Sequence, residues 1–151
     1  MKFIADTMLG RLTRWLRLSG YDVIYVNDME DGRILRIARE EGRMILTRDK
    51  GLYDKALRAN APVILLKSND FAERIRQLQK EVGVVIQDTP RFARCPICNG
   101  EVIKVDKGEV ELKTPKKVFE RLEEFWKCES CGKVYWQGGH WKNISDFVEN
   151  L

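Results

Sequence analysis

Aspartate residues follow several short apolar segments of this 151-residue sequence, at the points where those segments end. Asp6 ends "FIAD", Asp49 lies two residues beyond "MILT", and Asp31 follows "DVIYV" after a short polar loop. If the apolar segments are neighbouring parallel strands, these carboxylates share one edge of a sheet. Clustered carboxylates repel one another unless a cation lies between them, and hard oxygen ligands suit Mg²⁺ or Mn²⁺. The pattern therefore predicts a site that activates water and stabilises charge on a phosphoryl group.

Each of these acids also has a purely structural explanation. Asp31 and Asp70 are suitable helix N-caps, Asp6 could cap the first helix, and Asp49 could stabilise a turn. Their repeated placement after successive strands is what favours a shared site. The sheet region contains no glycine-rich phosphate loop, and the single histidine, His140, lies in the C-terminal part of the chain. Dinucleotide binding and histidine-dependent nucleophilic catalysis in the sheet region are therefore disfavoured.

Arginines recur in the segment that follows Asp6. Arg11, Arg14 and Arg17 are spaced by three residues, which gives one tilted basic face on a helix. Such a face beside a metal site could contact the phosphates of a nucleic acid, and so could Arg48, which adjoins Asp49. The alternative is an ordinary solvated helix face.

Four cysteines form two CxxC pairs, Cys95/Cys98 and Cys128/Cys131. Two such pairs complete a tetrahedral thiolate site for one structural Zn²⁺, with no coordination position open for catalysis. Disulfides or free thiols are the alternative, and both are disfavoured for a cytosolic chain. The segment between the pairs predicts a strand at 109–113 and a helix at about 115–124.

Aromatic residues alternate with basic ones after the second cysteine pair, in "VYWQGGHWK". Trp136, Trp141 and Lys142 could stack on and bind single-stranded RNA. Alternatively, the aromatic side chains dock the small zinc ribbon on the preceding domain.

The elements that must position these residues follow from hydrophobic periodicity. Strands are predicted at 3–6, 22–26, 44–47, 63–66 and 84–86, and helices at 8–19, 31–42, about 51–59 and 70–83. Strands that alternate with helices indicate a parallel sheet with right-handed crossovers. The pattern changes at "QDTPRFARCPIC", which predicts an α/β domain over 1–90 and a zinc-ribbon domain over 91–151.

Global properties constrain the class of protein only weakly. A net charge of +4 is slight evidence for a nucleic-acid partner. No apolar run is long enough to predict a membrane span, and the N-terminus lacks the apolar region of a signal peptide. The expected location is the cytoplasm.

The segments "FIADTMLGRLTRWLRLSGYD", "ILRIAREEGRMILTRD" and "CPIC…CESCGKVYWQGGHW" together resemble the Mut-seven C-terminal RNase domain family. The resemblance implies a PIN-like Rossmannoid three-layer domain with a parallel sheet, followed by a small β-rich zinc ribbon. It also implies a metal-dependent ribonuclease, in which Asp6, Asp31 and Asp49 match the acids of the family pattern. Gly32 and Arg33 stand where that pattern often has further acids.

The leading hypothesis is hydrolysis of RNA phosphodiester bonds by Asp6, Asp31 and Asp49 with one or two Mg²⁺ or Mn²⁺ ions. The main alternative is a non-catalytic RNA-binding or ribosome-associated zinc-ribbon adaptor. A third possibility is a protein-interaction module whose acids only cap helices.

Overall fold

The computed structural model describes residues 1–88 and 93–151, which divide into two compact units. The first unit contains residues 1–16 and 21–85, and the second contains residues 17–20 and 86–151. The predicted domain boundary near residue 90 lies outside the described residues. Within the described ranges, no helix has both the length and the apolar character needed to cross a membrane.

The first unit is built on a four-stranded parallel sheet with the order β2-β1-β3-β4. Its strands are β1 (Lys2–Ala5), β2 (Asp22–Tyr25), β3 (Met44–Thr47) and β4 (Val63–Leu65). Its helices are α1 (Gly10–Leu18), α2 (Asp31–Glu41), α3 (Lys50–Arg58) and α4 (Phe71–Val82), and the last residues of α1 belong to the second unit. The predicted α/β alternation with a parallel sheet is confirmed.

The predicted strand at 84–86 does not form. Helix α4 ends at Gly83, whose φ of 71° turns the chain away from the helix axis. The backbone N–H of Val85 then donates to the Tyr21 hydroxyl at 2.9 Å. The apolar residues Val84 and Ile86 are buried without joining the sheet. Burial alone therefore explains the hydrophobic pattern that predicted a strand here.

The sheet packs between helices on both faces. Ile4 and Ile45 lie in one cluster with Ile34 of α2 and Leu52 of α3. Successive strand residues point to opposite faces, so Phe3, beside Ile4, faces the other layer. Right-handed crossovers place α1 on that second face, because β2 lies on the opposite side of β1 from β3. The sheet core therefore holds the strand ends, and the loops that follow them, in fixed positions.

A buried ion pair stabilises the end of the sheet opposite to those loops. Arg43, only 6% exposed, donates to Asp22 Oδ1 at 2.8 Å and to the Phe3 carbonyl at 3.2 Å. Burial alone would lower the pKa of Arg43, but hydrogen bonds to Asp22 and Glu41 raise it above its ordinary value. The pair ties the start of β3 to the starts of β1 and β2.

Replacing Asp22 should destabilise the first unit, because it leaves a buried guanidinium without its main partner. We expect Asp22→Ala to lower the free energy of unfolding by about 2–3 kcal/mol, measured by urea denaturation. The control is Lys55→Ala, which removes a half-exposed ion pair with Asp31 and should cost less than about 1 kcal/mol. Equal losses in the two variants would contradict the assigned role of Asp22.

The second unit contains a three-stranded antiparallel sheet of β5 (Val102–Val105), β6 (Phe125–Cys128) and β7 (Val134–Tyr135). Two helices follow the first and third of these strands, α5 (Lys116–Arg121) and α6 (Gly139–Glu149). The predicted strand at 109–113 is wrong. Two 3₁₀ turns (Lys107–Glu109 and Glu111–Lys113) occupy this segment, and they place Val110 in a small core with Phe125 and Val134.

Candidate active site and metal centre

Thr47 joins two of the predicted site acids. It is fully buried at the end of β3, and its hydroxyl donates to Asp6 Oδ2 at 3.0 Å. The same oxygen accepts a hydrogen bond from the backbone N–H of Asp49, also at 3.0 Å. A single side chain thus fixes the carboxylate of Asp6 and the start of the loop that carries Asp49. No local sequence pattern marks Thr47 as a site residue, although it stands two residues before Asp49 in the "TRD" segment.

The topology of the sheet places this group at a crevice. Strands β1 and β3 are neighbours, but the connection after β1 runs to one edge of the sheet and the connection after β3 runs to the other. Such a switch point leaves an opening beyond the carboxyl ends of the two strands, where open α/β sheets bind ligands. The Asp6 N–H bonds to the Leu46 carbonyl at 3.0 Å, so Asp6 lies directly at this opening.

Asp49 is also the N-cap of α3. Its Oδ1 accepts hydrogen bonds from the backbone N–H groups of Gly51 at 2.7 Å and Leu52 at 3.4 Å. The structural interpretation of Asp49 as a turn residue is therefore partly right. Both cap bonds end on Oδ1, and the residue is exposed, so the carboxylate keeps a second oxygen that the cap does not use.

Asp31 takes a different partner. It is the first residue of α2 rather than its N-cap, which is Glu30, and its Oδ2 accepts a hydrogen bond from Lys55 Nζ at 2.8 Å. Among the described residues, the group of three or more possible ligands within 4.8 Å of one another is the four-cysteine cluster. The structure thus links the Asp6 carboxylate to the Asp49 backbone through Thr47, whereas Asp31 forms an ion pair with Lys55.

Two of the helix-α1 arginines are exposed. The Arg11 guanidinium lies 4.0 Å from the ring centroid of Phe71, the first residue of α4, and Phe71 also contacts Trp15. Contact with the Phe71 ring restricts the long Arg11 side chain, which remains exposed to solvent. Arg14 is also exposed. Arg48 donates to the Leu66 carbonyl at 3.3 Å and to Asn69 Oδ1 at 2.6 Å, which holds its side chain against the loop that follows β4.

Arg17 differs from its neighbours on α1. It is 8% exposed, and its guanidinium donates to the carbonyls of Pro96 at 3.0 Å and Ile97 at 3.3 Å within the second unit. These carbonyls belong to the first cysteine turn, so Arg17 supports that turn instead of facing solvent. The periodicity that grouped it with Arg11 and Arg14 did not reveal this burial. This burial sets Arg17 apart from the exposed Arg11 and Arg14.

The four cysteine sulfurs lie close enough to hold one metal ion. Cys95 Sγ is 3.7 Å from Cys131 Sγ, and Cys98 Sγ is 3.4 Å from Cys128 Sγ. A tetrahedral ZnS₄ site with ordinary bond lengths has sulfur–sulfur separations of about 3.8 Å. The cluster therefore fits a structural Zn²⁺. Gly100 is required beside it, since a Cβ there would lie 2.8 Å from Cys128 Sγ.

The thiols of this cluster differ in acidity. Burial would raise the pKa of Cys95, but hydrogen bonds from Tyr135 and the local backbone lower it to about 7. For Cys98, a backbone hydrogen bond from Gly100 lowers the pKa, but the neighbouring Cys128 thiol and burial outweigh it and raise the value to about 12. Burial and the Cys95 contact raise the pKa of Tyr135, so its hydroxyl stays protonated and donates to Cys95 Sγ at 2.9 Å. Metal binding must displace the remaining thiol protons.

The aromatic residues proposed for RNA contact lie near the start of α6. Trp136 and Trp141 are half-buried, and Lys142 is exposed. The indole N–H of Trp141 donates to the Asp88 carbonyl, which anchors that ring within the second unit. Trp136 packs partly against the small core around Phe125, so part of its ring remains available to a ligand.

The fold and these two centres define an α/β domain with acids at its switch point, followed by a four-cysteine metal-binding module. The model of the Mut7-C RNAse domain matches residues 1–148, and the chain belongs to this family. It is 33% identical over 103 residues to the human protein described as "Exonuclease mut-7 homolog". That match covers 65% of this chain but only 12% of the human protein. No solved structure matches the chain.

Proposed function

We propose that this protein is a metal-dependent ribonuclease that hydrolyses RNA phosphodiester bonds at the carboxyl ends of β1 and β3. The observation that carries the proposal is the Asp6–Thr47–Asp49 arrangement at the switch point of the sheet. Membership of an RNase domain family supports RNA as the substrate class. The activity of the human relative does not transfer directly, since the match covers a small part of that protein.

The donor atoms in this crevice suit a divalent cation. Asp6 and Asp49 would hold Mg²⁺ or Mn²⁺ through hard carboxylate oxygens, and Asp31 would supply a further oxygen once released from Lys55. The ion would supply Lewis-acid stabilisation of phosphoryl charge and a lowered pKa for water. Thr47 would keep the Asp6 carboxylate oriented, because it donates to one of the two carboxylate oxygens.

Three arginines would bind the RNA backbone. Arg11, held against Phe71, and Arg14 lie on the helix that follows Asp6, whereas Arg48 precedes Asp49. Guanidinium groups make paired hydrogen bonds to phosphate oxygens, so these side chains would position the scissile phosphate. Lys55 would become a phosphate ligand if the cation displaced it from Asp31.

The direct test is cleavage of an end-labelled single-stranded RNA by the zinc-loaded protein, with and without added Mg²⁺ or Mn²⁺. We expect cleavage only with the divalent ion, and competition by excess Ca²⁺. A crystal soaked in Mn²⁺ should give an anomalous peak beside Asp6 and Asp49. RNA that remains intact with every divalent ion, together with the absence of that peak, would refute the proposal.

A non-catalytic RNA-binding adaptor is the second candidate. One observation favours it: Asp31 already forms an ion pair with Lys55, and no three acids of the described ranges reach ligand spacing. An adaptor would bind RNA with an affinity that falls steeply with salt and survives Asp6→Asn. It would not cleave RNA with any divalent ion.

Thr47→Val should weaken catalysis by removing the hydroxyl while keeping the shape of a buried side chain. We expect a loss of about 10–100-fold in kcat/KM, since partners that orient metal ligands contribute on this order. Higher Mn²⁺ concentration should recover part of the loss, because the variant binds the cation less tightly. Steady-state cleavage across a Mn²⁺ titration measures both effects.

Thr47→Ser is the matched control, since it retains the hydroxyl that bonds to Asp6 and to the Asp49 N–H. It should retain most of the wild-type activity. If Thr47→Val cleaves as fast as Thr47→Ser at every Mn²⁺ concentration, Thr47 does not position the site.

A further inference from the structure

A cavity of about 380 Å³ lies in the second unit, at the start of α6. Tyr135, Trp136, His140 and Trp141 contribute aromatic side chains to its wall, and Lys133 contributes a cation. All of its lining residues belong to the second unit, and none of them carries a carboxylate. Its size falls in the range of pockets that hold small ligands, about 300–1,000 Å³.

The aromatic wall is held in place by specific contacts. Trp141 is anchored by its hydrogen bond to the Asp88 carbonyl. Trp136 fits closely over Gly138, where an added Cβ would lie 3.1 Å from the indole nitrogen. Tyr135 is held through its hydroxyl by Cys95. The rings are therefore positioned before any ligand arrives, which reduces the entropy cost of binding.

Polar groups at the cavity complement its rings. Lys133 Nζ lies 5.8 Å from the Tyr135 ring centroid, and Lys133 itself is exposed. Gly139 and His140 open α6, so their N–H groups are among those that lack a helical carbonyl partner. A flat ring with acceptor atoms on its edge and a phosphate nearby would use each of these features.

We propose that this cavity binds an unstacked base of single-stranded RNA, with Trp136 as its main stacking surface and Lys133 beside the adjoining phosphate. The proposal rests on RNA being the substrate class of the first unit. Stacked aromatic rings with nearby cations are the common means of holding single-stranded nucleic acid. An apolar peptide is the competing occupant, but it would gain nothing from the lysine or from the N–H groups at the start of α6.

The test uses the full zinc-loaded chain carrying Asp49→Asn, so that RNA is bound without being cleaved. Titration with a single-stranded oligouridylate and an oligoadenylate is followed by NMR of the tryptophan indole N–H signals and by fluorescence anisotropy. We expect the Trp136 signal to shift and the buried Trp126 signal to remain unchanged. Adding Trp136→Leu should weaken binding about tenfold, since stacking of one base contributes about that much.

Three further variants keep the result interpretable. Gly138→Ala displaces the Trp136 ring without removing it and should also weaken binding. Lys133→Gln should weaken binding, whereas Lys117→Gln, a matched charge loss on exposed α5, should change it much less. Zinc content and thermal unfolding confirm that each variant is folded.

An unshifted Trp136 signal, or unchanged affinity in the folded Trp136→Leu and Gly138→Ala variants, would overturn the proposal. This outcome is independent of catalysis, because the cleavage assay of the Asp49-intact protein reports on the first unit. Loss of RNA affinity in the cavity variants would support the cavity even if no cleavage were found.

Discussion

Asp49→Asn should abolish most RNA cleavage while leaving the first unit folded. Asparagine caps helices about as well as aspartate, so its side-chain oxygen can still accept from the N–H groups of Gly51 and Leu52. The substitution removes only the negative charge and one anionic ligand atom. We expect the cleavage rate to fall on the order of 1,000-fold, the scale seen when a key electrostatic group is removed from an active site.

The measurement is single-turnover cleavage of labelled RNA at saturating Mn²⁺. Asp6→Asn should show a loss of similar size, and Glu40→Gln, which removes an exposed charge from α2, should not. Asp70→Asn is the control for capping, because Asp70 accepts from the Glu73 N–H at 2.9 Å as the cap of α4. Asp49→Asn and Asp70→Asn should therefore unfold at nearly the same urea concentration. A folded Asp49→Asn that cleaves at the wild-type rate would remove Asp49 from the active site.

Most of the first unit follows from local sequence signals. Gly42 and Gly83 end α2 and α4 in the left-handed conformation, with φ of 64° and 71°, as glycines after an amphipathic segment predict. The apolar segments of the first unit form β1 to β4 almost at their predicted bounds. The failed strand at 84–86 shows the limit of this reasoning: a buried apolar segment has the same composition whether or not it finds a strand partner.

The positions of the candidate site residues could be predicted from the sequence only where the sheet topology determines them. Strand ends are visible in the sequence, so Asp6 and Asp49 could be placed on one edge of the sheet. The partner of Asp31 is Lys55, which is 24 residues away and on another helix, and no local pattern indicates such a pair. The contacts of Arg17 with Pro96 and Ile97 were not visible in the sequence for the same reason, since these partners are 79 and 80 residues away.

Some features of the second unit are encoded in the local sequence, and others are not. The CxxC pairs predict the metal centre because two close ligands in each turn are a strong constraint. Between the pairs, Val110 enters the core from 3₁₀ turns, so a single buried position was mistaken for a strand. Helix α6 was not predicted, and its first residues, Gly139 and His140, gave no conventional capping signal.

Removing zinc should unfold the cysteine-containing module and leave the first sheet intact. The core of the second unit consists of a few residues around Phe125, too little apolar burial to maintain the fold without a crosslink. Binding of Zn²⁺ by small four-ligand modules contributes about 10–16 kcal/mol to folding. The first unit has its own core around Ile4, Ile34 and Ile45, which does not involve the cysteines.

Hydrogen–deuterium exchange on the intact chain measures this difference element by element. In Cys128→Ser, or after chelation, amides of β5, β6 and β7 should lose protection, while those of β1 and β3 retain it. The wild-type chain should contain one zinc ion, and His140→Ala should keep that zinc and the same protection, because His140 is not among the clustered ligands. Unchanged protection of β5–β7 in zinc-free protein would mean that the module folds through its apolar contacts alone.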